Sequence, residues 1–102
     1  MKVQVNTDHS IEASEGMANH VSGLVEHALR NHANRLTRVE VHLTDVNAGK
    51  SGPEDKQCTI EVRPEGLQPM AATDNADGID DAVRGAAHKV SRILDSAFGK
   101  AG

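Results

Sequence analysis

Apolar and polar residues alternate in several short stretches of this chain and recur every three or four residues in two longer ones. Val3 and Val5 alternate with Lys2, Gln4 and Asn6, which predicts a strand over Lys2–Asn6 with one buried face. Val39, Val41 and Leu43 alternate with Arg38, Glu40, His42 and Thr44, predicting a second strand over Thr37–Asp45. Cys58, Ile60 and Val62 alternate with Gln57, Thr59, Glu61 and Arg63, predicting a third over Lys56–Arg63. Gln68–Thr73 is a weaker fourth. Pro69 has no N–H to give a ladder, which assigns this strand to an edge.

The helical pattern comes twice. Met17, Val21, Leu24, Val25, Ala28, Leu29 and His32 are spaced by helical turns, and Ser14 stands where a hydroxyl caps the first free N–H groups. This predicts a helix from Ser14 to near Asn34. Ile79, Val83, Ala86, Ala87, Val90, Ile93, Leu94 and Phe98 mark the apolar stripe of a second helix over residues 76–98. Asp80 sits four residues before Arg84 and should pair with it along that helix. Thr7–Ala13 reads as a connection, Val46–Asp55 as a loop rich in Gly, Ser, Asn and Pro, and Glu65-Gly66 as a tight turn.

The resulting order is β-α-β-β-β-α. Each strand has one apolar face and each helix one apolar stripe, so the economical packing is an α+β two-layer sandwich. A four-stranded mixed sheet carries both helices on one face and leaves its other face wet. The first strand–helix–strand unit should cross over right-handed. At 102 residues the chain is expected to form a single domain, 1–102. Phe98 is the only aromatic residue, so Val, Ile, Leu, Met and Ala must build the core.

Charge changes the picture in one respect. The formal charge of −4 argues against strong non-specific nucleic-acid binding, because phosphate affinity comes from Lys and Arg. The charge is unevenly spread, however. Asp74, Asp77, Asp80 and Asp81 gather at the start of the last helix, and Arg84, His88, Lys89 and Arg92 follow. Arg30, Arg35 and Arg38, around the end of the first helix, form a second basic group. Acid before base also suits the helix dipole, which is the plainer reading of the same pattern.

Other chemistry is weak. The six histidines include no helical i, i+4 pair of the kind that holds zinc, and are expected to be solvated surface residues. Cys58 has no partner thiol and falls in phase with Ile60 and Val62, as a core residue would. The Asp74–Asp81 group lacks the glycine and glutamate of a calcium loop. Gly49-Lys50-Ser51 lacks the upstream glycine of a phosphate loop and leads into a strand. No catalytic constellation, metal or other cofactor, or small-molecule substrate is expected. The chain starts without an apolar leader, and no run approaches the ~20 residues of a membrane span. A cytoplasmic protein with no membrane partner is expected. The polar sheet face lacks the aromatic residues on which an RNA-binding sheet stacks bases. RNA contact would therefore fall to helix residues acting on phosphates.

Three stretches carry a family resemblance. Ser14-Glu15-Gly16-Met17 resembles a Thr-Glu-Ala-Leu helix start. Val39-Glu40-Val41-His42-Leu43 resembles a second strand, and His88-Lys89-Val90-Ser91-Arg92-Ile93-Leu94 resembles Asp-Lys-Leu-Glu-Arg-Gln-Leu. In that order they resemble the short ribosome hibernation-promoting factor and ribosome-associated inhibitor family, whose resemblance extends over nearly the whole chain. The chain departs from it by placing Asp80 where an aromatic is common and by having only Lys100 after Phe98.

The resemblance implies a non-enzymatic stress factor. It would bind the small ribosomal subunit and its 16S rRNA near the decoding region and silence translation by steric occupation. It carries Lys89 and Arg92 over as RNA-binding residues, while Arg84 and His88 join them from the helical stripe. The alternative is a protein-interaction module on the same fold, using an open sheet edge or the wet face. A weaker one is a metal-responsive protein using the histidines. The oligomeric state is left open.

Overall fold

The computed structural model describes residues 1–46 and 55–101. The elements are β1 (Val3–Thr7), α1 (Glu15–Ala28), a 3₁₀-helix (Arg30–Arg35), β2 (Leu36–Asp45), β3 (Lys56–Pro64), β4 (Met70–Ala76) and α2 (Ile79–Ala101). The strands form one mixed sheet in the order β1-β2-β3-β4. β1 runs parallel to β2, with Val3 opposite Val39 and Thr7 opposite Leu43. β2–β3 and β3–β4 are antiparallel. The four-stranded α+β architecture follows the apolar alternation. Val39, Val41, Leu43, Cys58, Ile60 and Val62 are buried on the face that the helices cover. Most of the loop expected at Val46–Asp55, including Gly49-Lys50-Ser51, lies outside the described residues.

Helix α1 starts where the hydroxyl signal put it. Ser14 has extended backbone, and its Oγ accepts the N–H of Met17 at 3.1 Å. Its α-helical part ends at Ala28, six residues before the expected end at Asn34. The chain then tightens into the 3₁₀-helix. Arg30 Nη1 donates to the carbonyl of His27 at 2.8 Å, satisfying one of the acceptors that a helix end leaves free. Tightening turns His32 inward, so it is buried rather than solvated.

Helix α2 buries Ala82, Val83, Ala86, Ala87, Val90 and Leu94 against the sheet. Arg84, Lys89 and Arg92 stay exposed. Ile93, in phase with the stripe, is 39% exposed, so the buried face is narrower than its periodicity implied. The small residues allow close approach, and among the described glycines Gly85 alone has no room for a side chain, beside Asp74 on β4. β4 begins after Pro69 and runs three residues beyond its expected end, through Asp74 and Asn75. Pairing of Cys58 with Asp74 and Gln57 with Asn75 overrides the poor strand propensity of these residues. Pro64 to Leu67 makes the tight turn: Leu67 N–H reaches Pro64 O at 3.3 Å, and Gly66 takes φ 76°, open to glycine without strain.

Cys58 is fully buried, as its phase required. Burial, and then the nearby charge of Asp74, push its thiol up to about 12. At neutral pH almost none of it is thiolate, the reactive form. Native protein should therefore react with a thiol reagent at least about a hundredfold more slowly than urea-unfolded protein, whose cysteine returns toward the ordinary range. Equal rates in a timed labelling assay would contradict this placement.

Candidate functional site

The two long helices run in the same direction across the sheet. His20 on α1 meets Asp80 on α2 at 2.9 Å, and His32, beyond α1, meets Asp95 on α2 at 2.7 Å. Asp80 thus pairs across to the other helix rather than with Arg84. Between these two clasps, Leu24, His27 and Ala28 face Arg84, His88 and Ser91 across a groove of about 290 Å³. Its lining combines the apolar side chains of Leu24 and Ala28 with the basic ones of His27, Arg84 and His88.

The four α2 residues expected to meet RNA fall into two sets. Arg84 and His88 line the groove, and Arg92 is exposed one turn further on. Arg84 and Arg92 make no ion pair among the described residues. Lys89 turns the other way, over β4. Its Nζ donates to Asp74 Oδ1 at 3.0 Å and to the Thr73 carbonyl at 2.9 Å. Part of its charge is already answered within the protein.

The second basic group does not hold together. Arg30 is bound to the end of α1, with Nη1 also 3.4 Å from His27 Nε2. The Arg35 guanidinium lies 4.5 Å from the Phe98 ring centroid. Arg38 belongs to the open face of the sheet, where it meets Gln4 and, at 3.5 Å, Glu40. Strand alternation alone separates Arg38 from the helix layer.

Phe98 is held from two directions. His32 stacks on it with centroids 5.7 Å apart and planes 25° apart, and Arg35 covers it as a cation. This cluster fixes the last turns of α2 to the 3₁₀-helix. Helical phase flagged Phe98 and His32 separately, but nothing in the sequence linked them.

The open face carries features that a search for helical ligand spacing could not find. Glu40 and Glu61 are directly opposite on β2 and β3, and His42 lies two residues along from Glu40. Their ligand atoms lie within 4.8 Å of one another. The signal was the i, i+2 spacing joined to the strand register. Nearby, Asn6, Thr7, Asp8, His42, Leu43, Thr44, Gln57 and Thr59 line a shallow depression of about 250 Å³. Hydrogen bonds from the Ser10 and Thr44 side chains hold the Asp8 carboxyl down at about 2. Asp8 so ties the β1–α1 connection to β2.

No described helix is long and apolar enough to cross a membrane. The family model described as sigma 54 modulation protein / S30EA ribosomal protein matches residues 3–101. No curated protein matches the chain. Among solved structures, the chain is similar to a ribosomal subunit interface protein from Coxiella burnetii, at 18% identity and TM-score 0.70. That match covers 97% of this chain and 99% of the other. It is also similar to the Protein Y N-terminal domain of Thermus thermophilus, at 12% identity and TM-score 0.72, covering 94% and 98%. At these identities the structures speak for the fold.

Proposed function

Because the chain belongs to the sigma 54 modulation protein / S30EA ribosomal protein family, we propose that it is a non-enzymatic, cytoplasmic ribosome-associated factor. It binds the small subunit through 16S rRNA near the decoding region and represses translation by occupying that space. The observation that carries this reading is the exposed row Arg84, His88 and Arg92 on α2, whose two arginines have no acidic partner among the described residues of a chain with net charge −4. Unanswered arginines on a helix face are suited to phosphate, which they bind with two parallel N–H donors. Lys89 contributes less, because leaving Asp74 precedes any contact with RNA. Arg30, Arg35 and Arg38 are not one surface and add at most single contacts.

The test is sedimentation with purified small subunits over a range of salt. Reversing Arg84 and Arg92 together to Glu should remove roughly two phosphate contacts and reduce the salt slope by about two units. Thermal unfolding should change little, because neither side chain has an ion-pair partner among the described residues. Unchanged co-sedimentation of the folded double variant would move the interface elsewhere. Failure of the wild type to bind at low salt would end the ribosomal reading.

A further inference from the structure

Resting on the ribosome-binding reading, we propose that the groove between α1 and α2 is a phosphate seat that takes up protons when filled. A nucleic-acid phosphate held by Arg84 and Ser91 recruits protons to His27 and His88, so binding strengthens as the pH falls.

The residues supply each part. Arg84 is a permanent cation, and Ser91 a hydroxyl donor, on one wall; His88 shares that wall, and His27 stands opposite. Both imidazoles are exposed. Imidazole is the side chain whose charge ordinarily changes between pH 5 and 8. Other cationic side chains stand close to both rings. Arg30 Nη1 lies 3.4 Å from His27 Nε2. His88 stands one helical turn from Arg84 on one side and from Arg92 on the other.

Several nearby acids are engaged by other side chains. Asp80 and Asp95 are engaged by His20 and His32, and Asp74 by Lys89. Glu26 beside His27, and Asp81 one turn before Arg84, remain as the nearest carboxylates in sequence on the two helices. Among the described residues, those lining the groove come from these two helices. A phosphate entering the groove inverts the local field. It attracts both protonated rings and gives each an oxygen to donate to.

The sign follows from linkage. A group that binds its proton more tightly in the complex strengthens the complex at pH values below its free midpoint, and that gain is lost as the pH rises through the bound midpoint. Each upward shift of about one unit corresponds to about a tenfold gain. The groove would thus turn a modest fall in pH into tighter binding without any change of fold.

The test compares wild type with the His27→Gln, His88→Gln double variant. Equilibrium binding to purified small subunits is measured at about pH 6 and about pH 8, spanning the ordinary imidazole range, at fixed ionic strength. Wild-type affinity should rise about tenfold or more toward the lower pH, while the double variant's profile stays flat. Identical profiles for the two proteins would overturn the proposal and leave ribosome binding intact. If neither protein binds subunits at either pH, the ribosomal reading fails, and a second measurement decides the groove by itself. Proton NMR follows each imidazole through a pH titration with and without a short RNA hairpin. The midpoints of His27 and His88 should move up by about one unit with the hairpin, and that of His9 should not. Unmoved midpoints would overturn the phosphate seat.

Discussion

Replacing Gly85 with Ala should destabilise the protein by about 1–3 kcal/mol, although Ala is the better helix former by about 1 kcal/mol. A methyl group at this position would collide with Asp74 Oδ2 and lie 2.6 Å from its Cγ and 3.2 Å from its Cβ. The carboxylate has little freedom to withdraw. Its other oxygen is held by Lys89 at 3.0 Å, and its backbone is paired with Cys58 in the β3–β4 ladder. The methyl must therefore evict the carboxylate or lift the helix from the sheet. The decisive comparison is the same substitution in an Asp74→Ala background, where the space is open. There it should be neutral or stabilising by up to about 1 kcal/mol. Urea unfolding of the four proteins measures the coupling. Simple additivity would show that strand and side chain yield freely.

Phe98→Ala should destabilise by about 2–3 kcal/mol, below the 3–5 of a fully buried ring because Phe98 is only partly covered. The loss has two parts. One is apolar contact with the core. The other is the sandwich in which His32 lies 5.7 Å from the ring centroid and Arg35 lies 4.5 Å from it. Phe98→Leu separates them, keeping most of the apolar contact while removing the ring. It should lose about 0.5–1.5 kcal/mol. Amide exchange should report where the damage falls. Protection should drop across Arg30–Leu36 and the last turns of α2, while β3 keeps its rates. A uniform loss along the chain would mean that Phe98 acts only through the global core.

Element order and the buried faces were legible because both rest on periodicity, which is a local property. Val39, Val41 and Leu43 announced a half-buried strand, and Val83, Val90 and Leu94 a helix face, without knowledge of partners. The misses share a cause. His32 looked like a surface residue because its burial depends on Asp95 and Phe98, more than sixty positions away. The pairing of Asp80 with His20 rather than Arg84 likewise depends on which helix lies alongside. β4 absorbed Asp74 and Asn75 because a neighbouring strand offered them partners. At the candidate site, helical phase correctly exposed Arg84, Lys89 and Arg92. It could not see that Asp74 would draw Lys89 away, or that α1 would place His27 across from His88.

The single ring pinned between His32 and Arg35 has a spectroscopic consequence. With one Phe and no Trp or Tyr, the chain has no tyrosine or tryptophan emission. Any such fluorescence from a complex belongs to the partner. The same scarcity simplifies proton NMR, where the aromatic region holds only the Phe98 ring and six imidazoles. Those imidazoles are spread over the β1–α1 connection, α1, the 3₁₀-helix, β2 and α2. The unmodified protein thus carries reporters on its open sheet face, in its interhelical groove and at its C-terminal clasp, each readable without labels.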